Sequence, residues 1–577
     1  MPSQLFRTKS IDQLISDADQ PSKRLKKTLG WLSLTALGIG AIIGSGIFIT
    51  TGTAAAGQTV RYPSVLQAPL LSVLMHGAHA MGLNGRPGAG PGIAVSFLAV
   101  AIVCGLAGLC YAELASMIPI AGSAYTYTYA TLGEFIAWII GWDLILEYAV
   151  SNMAVAVGFS AYVNNLLGTF RIHIPDSLGT PAYDPMTNGW SLHFNLLGFV
   201  IVMLLTVLLV RGIRESAGAN NVMVGVKLLA IAIFCIVGSK YIHPENFKPF
   251  FPNGFQGVLT GGAIVFFSYI GFDAVSTAAE ECKNPKRDVP IGILASLFVC
   301  ALFYVALAVV LTGIQKWNTL NNAAPVAQAL EAIGLKITDR WVTAGALMGM
   351  ISSILVYQLG QARVWFAMSR DGLLPAIFSR VHAVFRTPDF ATWVAGFFVA
   401  IPAGIFDIGT LVDLSNIGTL FAFILVSIAV LILRKRQPDR PRGFRVPFSP
   451  WIPIASVVFC FVLMASLTVE NWVRFFVWLI VGLLFYFDFG IRHSTAGRAS
   501  DPASQRHLTI LADKALIALS AVLLVLAILG GAVVLGGVVY AGVLERAGLI
   551  ILAVIAFTFL MRGFRHYRDD SPLARTA

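Results

Sequence analysis

Apolar stretches of about 20 residues, long enough to cross roughly 30 Å of hydrocarbon, recur along this chain from Trp31 almost to its end. That repetition constrains the fold more than any motif does. Inside hydrocarbon every backbone N–H and C=O must be answered within the protein, and continuous apolar runs answer them as helices. Fourteen spans are expected, near residues 29–56, 92–118, 134–162, 193–210, 221–238, 255–280, 289–314, 341–369, 390–406, 410–433, 450–469, 472–490, 515–539 and 543–561. With 57% of its 577 residues hydrophobic and 12% charged, the chain holds far more apolar surface than one water-soluble core hides. The expected fold class is an all-α polytopic membrane protein.

Basic residues orient the spans. If the N-terminus is cytoplasmic, 28 of the 40 Lys and Arg fall in cytoplasmic segments, so basic loops put both termini inside. The same bias accounts for the net charge of +11 without nucleic acid, since the blocks at Lys23–Lys27 and Arg434–Arg436 flank spans. The N-terminal 28 residues are polar through Lys27, so no signal peptide is expected and insertion starts at the first span. Five of the six cysteines fall within spans and the histidines show no paired spacing, so neither a disulfide framework nor a metal site is expected.

No loop between spans looks able to bury a core of its own, so the chain reads as one membrane domain with polar ends. Its expected parts are a cytoplasmic tail at 1–28, a ten-helix core at 29–445, helices eleven and twelve at 446–492, and helices thirteen and fourteen with a cytoplasmic tail at 493–577. Residues 57–91 form an insertion in which Val65 to Leu83 are apolar but bracketed by Pro63, Pro69 and Gly85-Arg86-Pro87-Gly88. An outer-face lid or re-entrant piece fits them better than a crossing, because a crossing would reverse every later basic loop.

Two spans differ from the rest. The first carries G-I-G-A-I-I-G-S-G-I-F from Gly38 to Phe48, and the sixth carries F-F-S-Y-I-G-F-D from Phe266 to Asp273. Glycine costs a helix about 1 kcal/mol relative to alanine, yet both stretches hold it at mid-depth. They stand five spans apart, at matching positions of two inverted repeats over about 29–238 and 255–433, and such a pair of interrupted helices marks a transporter's binding site. Gly40 and Gly44 also suit a small-residue packing face. Gly44-Ser45-Gly46 is denser than packing requires.

Unwound backbone in hydrocarbon needs a ligand, ion or water to satisfy it. An amino acid zwitterion offers both signs. Its carboxylate suits the N–H groups near Ile43, Gly44, Ser45, Gly46 and Ile47, where a half-helix begins. Its ammonium suits carbonyls near Phe266, Phe267 and Ile270. Phe267 and Phe272 can close over it as gates, or simply pack.

The segments E-L-A-S-M-I-P-I-A-G-S-A-Y from Glu113, T-L-G-E-F-I-A-W-I-I-G-W-D-L-I-L-E-Y from Thr131, G-F-D-A-V-S-T-A-A-E-E-C-K-N-P-K-R-D-V-P-I-G-I from Gly271 and A-M-S-R-D-G-L-L-P from Ala367 occur in that order. From about Trp31 to Arg445 the chain resembles the amino acid-polyamine-organocation superfamily, and within it the cationic amino acid transporter group in its bacterial form. The resemblance implies a five-plus-five inverted-repeat core that alternates access, with no cofactor. It also implies substrate held by main-chain atoms at the positions of Gly44, Ser45, Gly46, Phe266, Phe267 and Ile270.

Lys227 lies mid-span in V-G-V-K-L-L-A, where a charged lysine costs about 2.5–3.5 kcal/mol to insert. Alternate burial and exposure would let such a group bind and release a proton within a transport cycle. In proton-coupled bacterial members of the resembled group a lysine at this point touches the broken first span, which implies the proton as coupling ion. A structural ion pair with Asp273 or Glu147 is the other reading. Asp143 and Glu147, four residues apart, share one helix face, and Glu147 is a candidate partner for a cationic substrate. Glu134 matches an activity-linked glutamate of the group and reads equally as a gate or a salt bridge. Ser352, Ser353 and Gln358 place polar groups in the eighth span. Arg363, Arg370, Asp371, Glu280, Glu281, Lys283 and Lys286 read as gate or anchor residues.

The reading that results is an amino acid carrier of the inner membrane, too short of mid-depth lysines and glutamates to read as a pump or channel subunit, and without the clustered constellation of a membrane enzyme. Symport with protons is expected, with uniport or exchange as the alternative; the resemblance implies arginine, lysine or ornithine as cargo and equally admits alanine and other neutral amino acids. The final two spans are assigned no substrate role, and a monomer or a dimer fits equally.

Overall fold

The computed structural model describes residues 5–18, 27–58, 64–66, 85–120, 122–184, 189–211, 213–322, 324–385, 387–495, 502–535 and 543–570. Its main helices are α1 (Ile11–Ala18), α2 (Trp31–Ile42), α3 (Thr51–Ala56), α4 (Ile93–Met117), α5 (Ala124–Thr131), α6 (Glu134–Thr169), α7 (Leu196–Arg211), α8 (Ile213–Gly238), α9 (Gly254–Val265) and α10 (Ala274–Thr277). They continue as α11 (Pro285–Ile314), α12 (Pro325–Ala332), α13 (Lys336–Arg370), α14 (Asp389–Ile405), α15 (Ile408–Arg436), α16 (Trp451–Ala465), α17 (Val469–Phe485), α18 (Pro502–Leu535) and α19 (Val543–Asp570).

Among the described residues ten helices are long and apolar enough to cross a membrane, or eleven when the bent pair formed by Trp31–Ile42 and Gly46–Ala56 is one span. Fourteen spans are expected from sequence. The difference lies in Leu196–Arg211, Asp389–Ile405 and Trp451–Ala465, which are apolar but shorter than 18 residues.

The packing has a regular pattern. Helices pair as α4 with α11, α6 with α13 and α7 with α14. Further contacts join α2 to α11 and α9 to α4, and likewise α8 to α13 and α15 to α6. At the centre the helices are buried on nearly every side, whereas α19 turns Ile550, Val554, Phe557 and Met561 outward. An outward apolar face is what lipid, not water, stabilises. The hairpin of α18 and α19 joins the bundle through α17 and the turn that follows it.

The ends of the 57–91 insertion pair as short antiparallel strands, Gly57 opposite Pro87 and Gln58 opposite Arg86. Ser64 bridges to Thr468. Most of the apolar stretch from Val65 to Leu83 lies outside the described residues. The lid or re-entrant reading for it therefore stays an expectation.

Candidate functional site

Both glycine-bearing stretches break their helices. α2 stops at Ile42, Ile43 leaves helical geometry at φ −81° and ψ 89°, and the chain re-enters as one wide π turn over Gly46–Thr50 before α3. The two halves are bent by 40°. A helix that restarts at Gly46 leaves its first amides without intrahelical acceptors, and no side chain caps them. Ser45 is fully buried and its hydroxyl has no hydrogen-bond partner.

In the sixth span α9 gives way to a 3-10 turn at Phe266–Tyr269, Ile270 is extended at φ −61° and ψ 139°, and Gly271 takes φ +116° before α10 begins. Only glycine adopts that φ without strain. Gly271 also lies against Ala41, where an added Cβ would stand 2.7 Å from the alanine methyl. A Cβ on Gly46 would meet the Ser268 Cα at 2.7 Å. The two breaks therefore touch backbone to backbone, a contact that side chains at these glycines would prevent.

The freed carbonyls are answered from neighbouring helices. Lys227, fully buried on α8, donates from Nζ to Gly40 O at 3.0 Å and to Ile43 O at 2.9 Å. Ser353 on α13 donates from Oγ toward the same two oxygens, at 2.8 and 3.1 Å. Its contact with its own helix, Gly349 O at 3.2 Å, is a third option. Tyr304 on α11 reaches both breaks, with its hydroxyl 2.8 Å from Ile42 O and 2.8 Å from Ser268 O. Tyr357 on α13 donates to Ile270 O at 2.8 Å. Among the described residues Lys227 forms no ion pair, so the alternative of a bridge to Asp273 or Glu147 is corrected. Its partners are peptide oxygens, because the broken helix supplies acceptors closer than either acid.

A family comparison completes the picture. The family model described as Amino acid permease matches residues 29–485, most of the chain. The chain belongs to the amino acid permease family. The permease is 45% identical over 495 residues to a branched-chain amino acid permease, BcaP, of Bacillus subtilis, covering 86% of this chain and 99% of that one. Over 492 residues it is 44% identical to a methylthioribose transporter of the same organism, covering 85% and 99%. A vacuolar cationic amino acid transporter of Arabidopsis thaliana is 34% identical over 441 residues, covering 75% of this chain and 68% of the relative.

Around the breaks the permease gathers several residues singled out in its sequence. Ile43, Gly44, Ser45, Gly46, Ile47, Phe266, Phe267, Ile270 and Asp273 are all buried in or beside the two interruptions. The Ile270 carbonyl is already engaged by Tyr357, and Phe267 O accepts from Ile270 N at 3.3 Å. Asp273 accepts from the Tyr148 hydroxyl through Oδ2, while its Oδ1 has no partner. Glu147, one residue before Tyr148 on α6, is buried, with the Thr419 hydroxyl of α15 as a polar neighbour and no cation paired with it among the described residues. Asp143 lies a turn away beside Gly418 of α15, so the two acids share a face toward that helix.

Other residues are placed elsewhere. Phe272 packs in an aromatic cluster, 4.8 Å from the Phe423 ring and 5.7 Å from Tyr111, with Phe266 5.9 Å from Phe423. Glu134 stands at the start of α6, accepting from Tyr129 at 3.0 Å, Tyr486 at 3.1 Å and Ser494 at 2.5 Å. Ser352 binds Asn220 at 2.7 Å and Gln358 binds Thr206 on α7, so neither hydroxyl nor amide is spent on its own helix alone. Arg363 pairs with Glu281, Arg370 with Glu280 at 3.6 Å, and Asp371 with Lys9 at 3.2 Å. Glu281 feels two opposed influences: burial pushes its carboxyl up and the Arg363 guanidinium pulls it back down.

The tyrosines 148, 304 and 357 are not singled out by sequence, although they brace both breaks. The one available signal is a hydroxyl inside an apolar run, and buried membrane tyrosines serve packing equally well.

Proposed function

We propose that this permease is a proton-coupled amino acid symporter of the cell membrane that works by alternating access, with its cargo held by the broken halves of the first and sixth spans. The observation that carries the reading is the contact of Lys227 with Gly40 O and Ile43 O, the carbonyls released at the first break. An ammonium gives up that attraction when it loses its proton, so a change of protonation loosens the very segment that grips substrate.

Helix pairing supports a five-plus-five inverted repeat. Exchanging each span of the core with the one five places away turns the first–seventh contact into the sixth–second, and the fifth–eighth into the tenth–third, and all four are present. The second–seventh, third–eighth and fourth–ninth pairs map onto themselves. Residues 29–445 are then the core, 446–492 helices eleven and twelve, and 493–577 the final pair. Fourteen crossings with both termini in the cytoplasm follow if the three short helices are tilted or flanked by polar residues that reach the interface.

Two cargo classes have support. An aliphatic side chain suits the buried apolar residues Ile43, Ile47 and Phe267 at the two breaks, and accords with the name of the branched-chain relative. A cationic side chain suits the buried carboxyls of Glu147 and Asp273, with which no cation pairs among the described residues, and accords with the name of the plant relative. Uptake of labelled leucine and arginine into proteoliposomes, with and without an inside-alkaline gradient, tests both points. Gradient-stimulated uptake of either is expected, and equal uptake with and without the gradient would rule out symport. Glu147→Gln is expected to lower arginine uptake about tenfold relative to leucine if the acid pairs with cargo, as a charged hydrogen bond of about 1.5–3 kcal/mol implies.

A further inference from the structure

Away from the breaks, a cavity of about 390 Å³ opens between the core and the last helices, large enough for part of a ligand. One wall is the stripe Trp138, Trp142 and Ile145 on α6, spaced four and three residues apart so that all three share a face. Trp142 stacks on Trp478 of α17 at 4.6 Å and on Phe485 at 5.3 Å, so these rings belong to the same wall, and Trp365 of α13, with Phe378 and Phe398 against it at 5.2 and 6.2 Å, forms the other. Three of the four tryptophans are satisfied: Trp138 donates to Gly482 O, Trp142 to Trp478 O and Trp478 to Trp142 O. Trp365 is not. It is 6% exposed, and its indole N–H has no partner among the described residues.

The rim carries charge. Asp488, just past α17, pairs with Arg562 of α19 at 2.9 Å, and His566 approaches the same carboxyl at 3.3 Å. One guanidinium nitrogen meets Asp488, and the Arg562 side chain is 58% exposed, which leaves further N–H donors facing outward. Arg565 adds a second exposed cation on the same helical turn. An apolar slot that opens beside exposed Phe398 and Phe485 meets acyl chains in a bilayer, and an arginine at its mouth attracts phosphate.

We propose that this cleft binds an anionic phospholipid, with an acyl chain between the stacked rings of α6 and α17 and the Trp365 side, the Arg562 guanidinium on the phosphate, and the Trp365 N–H offered to a lipid oxygen. The site is independent of what the permease carries. It joins α6 and α13, the helices that bear Glu147 and Ser353, to α17 and α19, and it uses a helix beyond the residues matched to the family.

The test is native mass spectrometry of the full-length permease released from bilayers of phosphatidylethanolamine with a minor fraction of phosphatidylglycerol. Wild type is expected to retain phosphatidylglycerol in preference to phosphatidylethanolamine. Arg562→Gln, an exposed change, is expected to cut that preference about fivefold, the worth of one basic residue at a lipid surface. Leu374→Trp, which fills the cleft from its lining, is expected to remove retention of both lipids while substrate uptake shows that the variant has folded. Equal retention of the two lipids by wild type overturns the anionic assignment. Retention that survives Leu374→Trp, or a preference unchanged by Arg562→Gln, overturns the cleft as the site.

Discussion

The two broken spans have the same plan and different braces. At the first break the loose carbonyls of Gly40 and Ile43 meet an ammonium and a serine hydroxyl, whereas at the sixth Ser268 O and Ile270 O meet only tyrosine hydroxyls. A tyrosine hydroxyl keeps its proton across the physiological range, and an ammonium in hydrocarbon is held at a cost that makes its proton negotiable. In the proposed symporter the first break would answer to protons while the sixth keeps its braces. Tyr304, touching Ile42 O and Ser268 O together, ties the two breaks to one side chain.

That contrast can be broken most severely where the two halves touch. Gly46→Ala puts a methyl 2.7 Å from the Ser268 Cα, which is backbone and cannot swing aside. Overpacking of this kind costs about 1–3 kcal/mol, so initial uptake in proteoliposomes is expected to fall about tenfold to hundredfold, with surface expression kept. Tyr357→Phe leaves the Ile270 carbonyl without its donor. A loss of about tenfold in uptake is expected from one buried hydrogen bond, with the shape of the pH profile unchanged, because the sixth break holds no titrating brace. A shifted profile would show that the two breaks are not distinct. Ser353→Ala is the mildest change, about threefold, since Lys227 still covers both carbonyls. Its pH dependence is expected to steepen, as the ammonium then holds the break alone.

Much of the arrangement was legible in the sequence, for a reason visible at Lys227. A lone cation or a glycine cluster stands out against hydrocarbon-compatible residues, so the breaks and the lysine could be read from composition and depth. What Lys227 binds could not. Its acceptors, Gly40 and Ile43, lie 187 and 184 residues away and are peptide oxygens, which no side-chain pattern records. The acids Asp273 and Glu147 were the more visible partners, and the structure gives the lysine neither. Glu134 illustrates the same limit, because its partners Tyr486 and Ser494 come from the far end of the chain. The three short helices were legible as apolar runs, but their lengths of 16, 17 and 15 residues depend on where tertiary contacts end them.

The most direct measurement compares gradient-driven accumulation with counterflow in proteoliposomes carrying Lys227→Ala. Counterflow exchanges labelled for unlabelled substrate and needs no net proton movement, so it reports a folded protein with an intact grip. The account predicts that counterflow persists while accumulation against a concentration gradient disappears. Accumulation at the wild-type level in the same vesicles would contradict it.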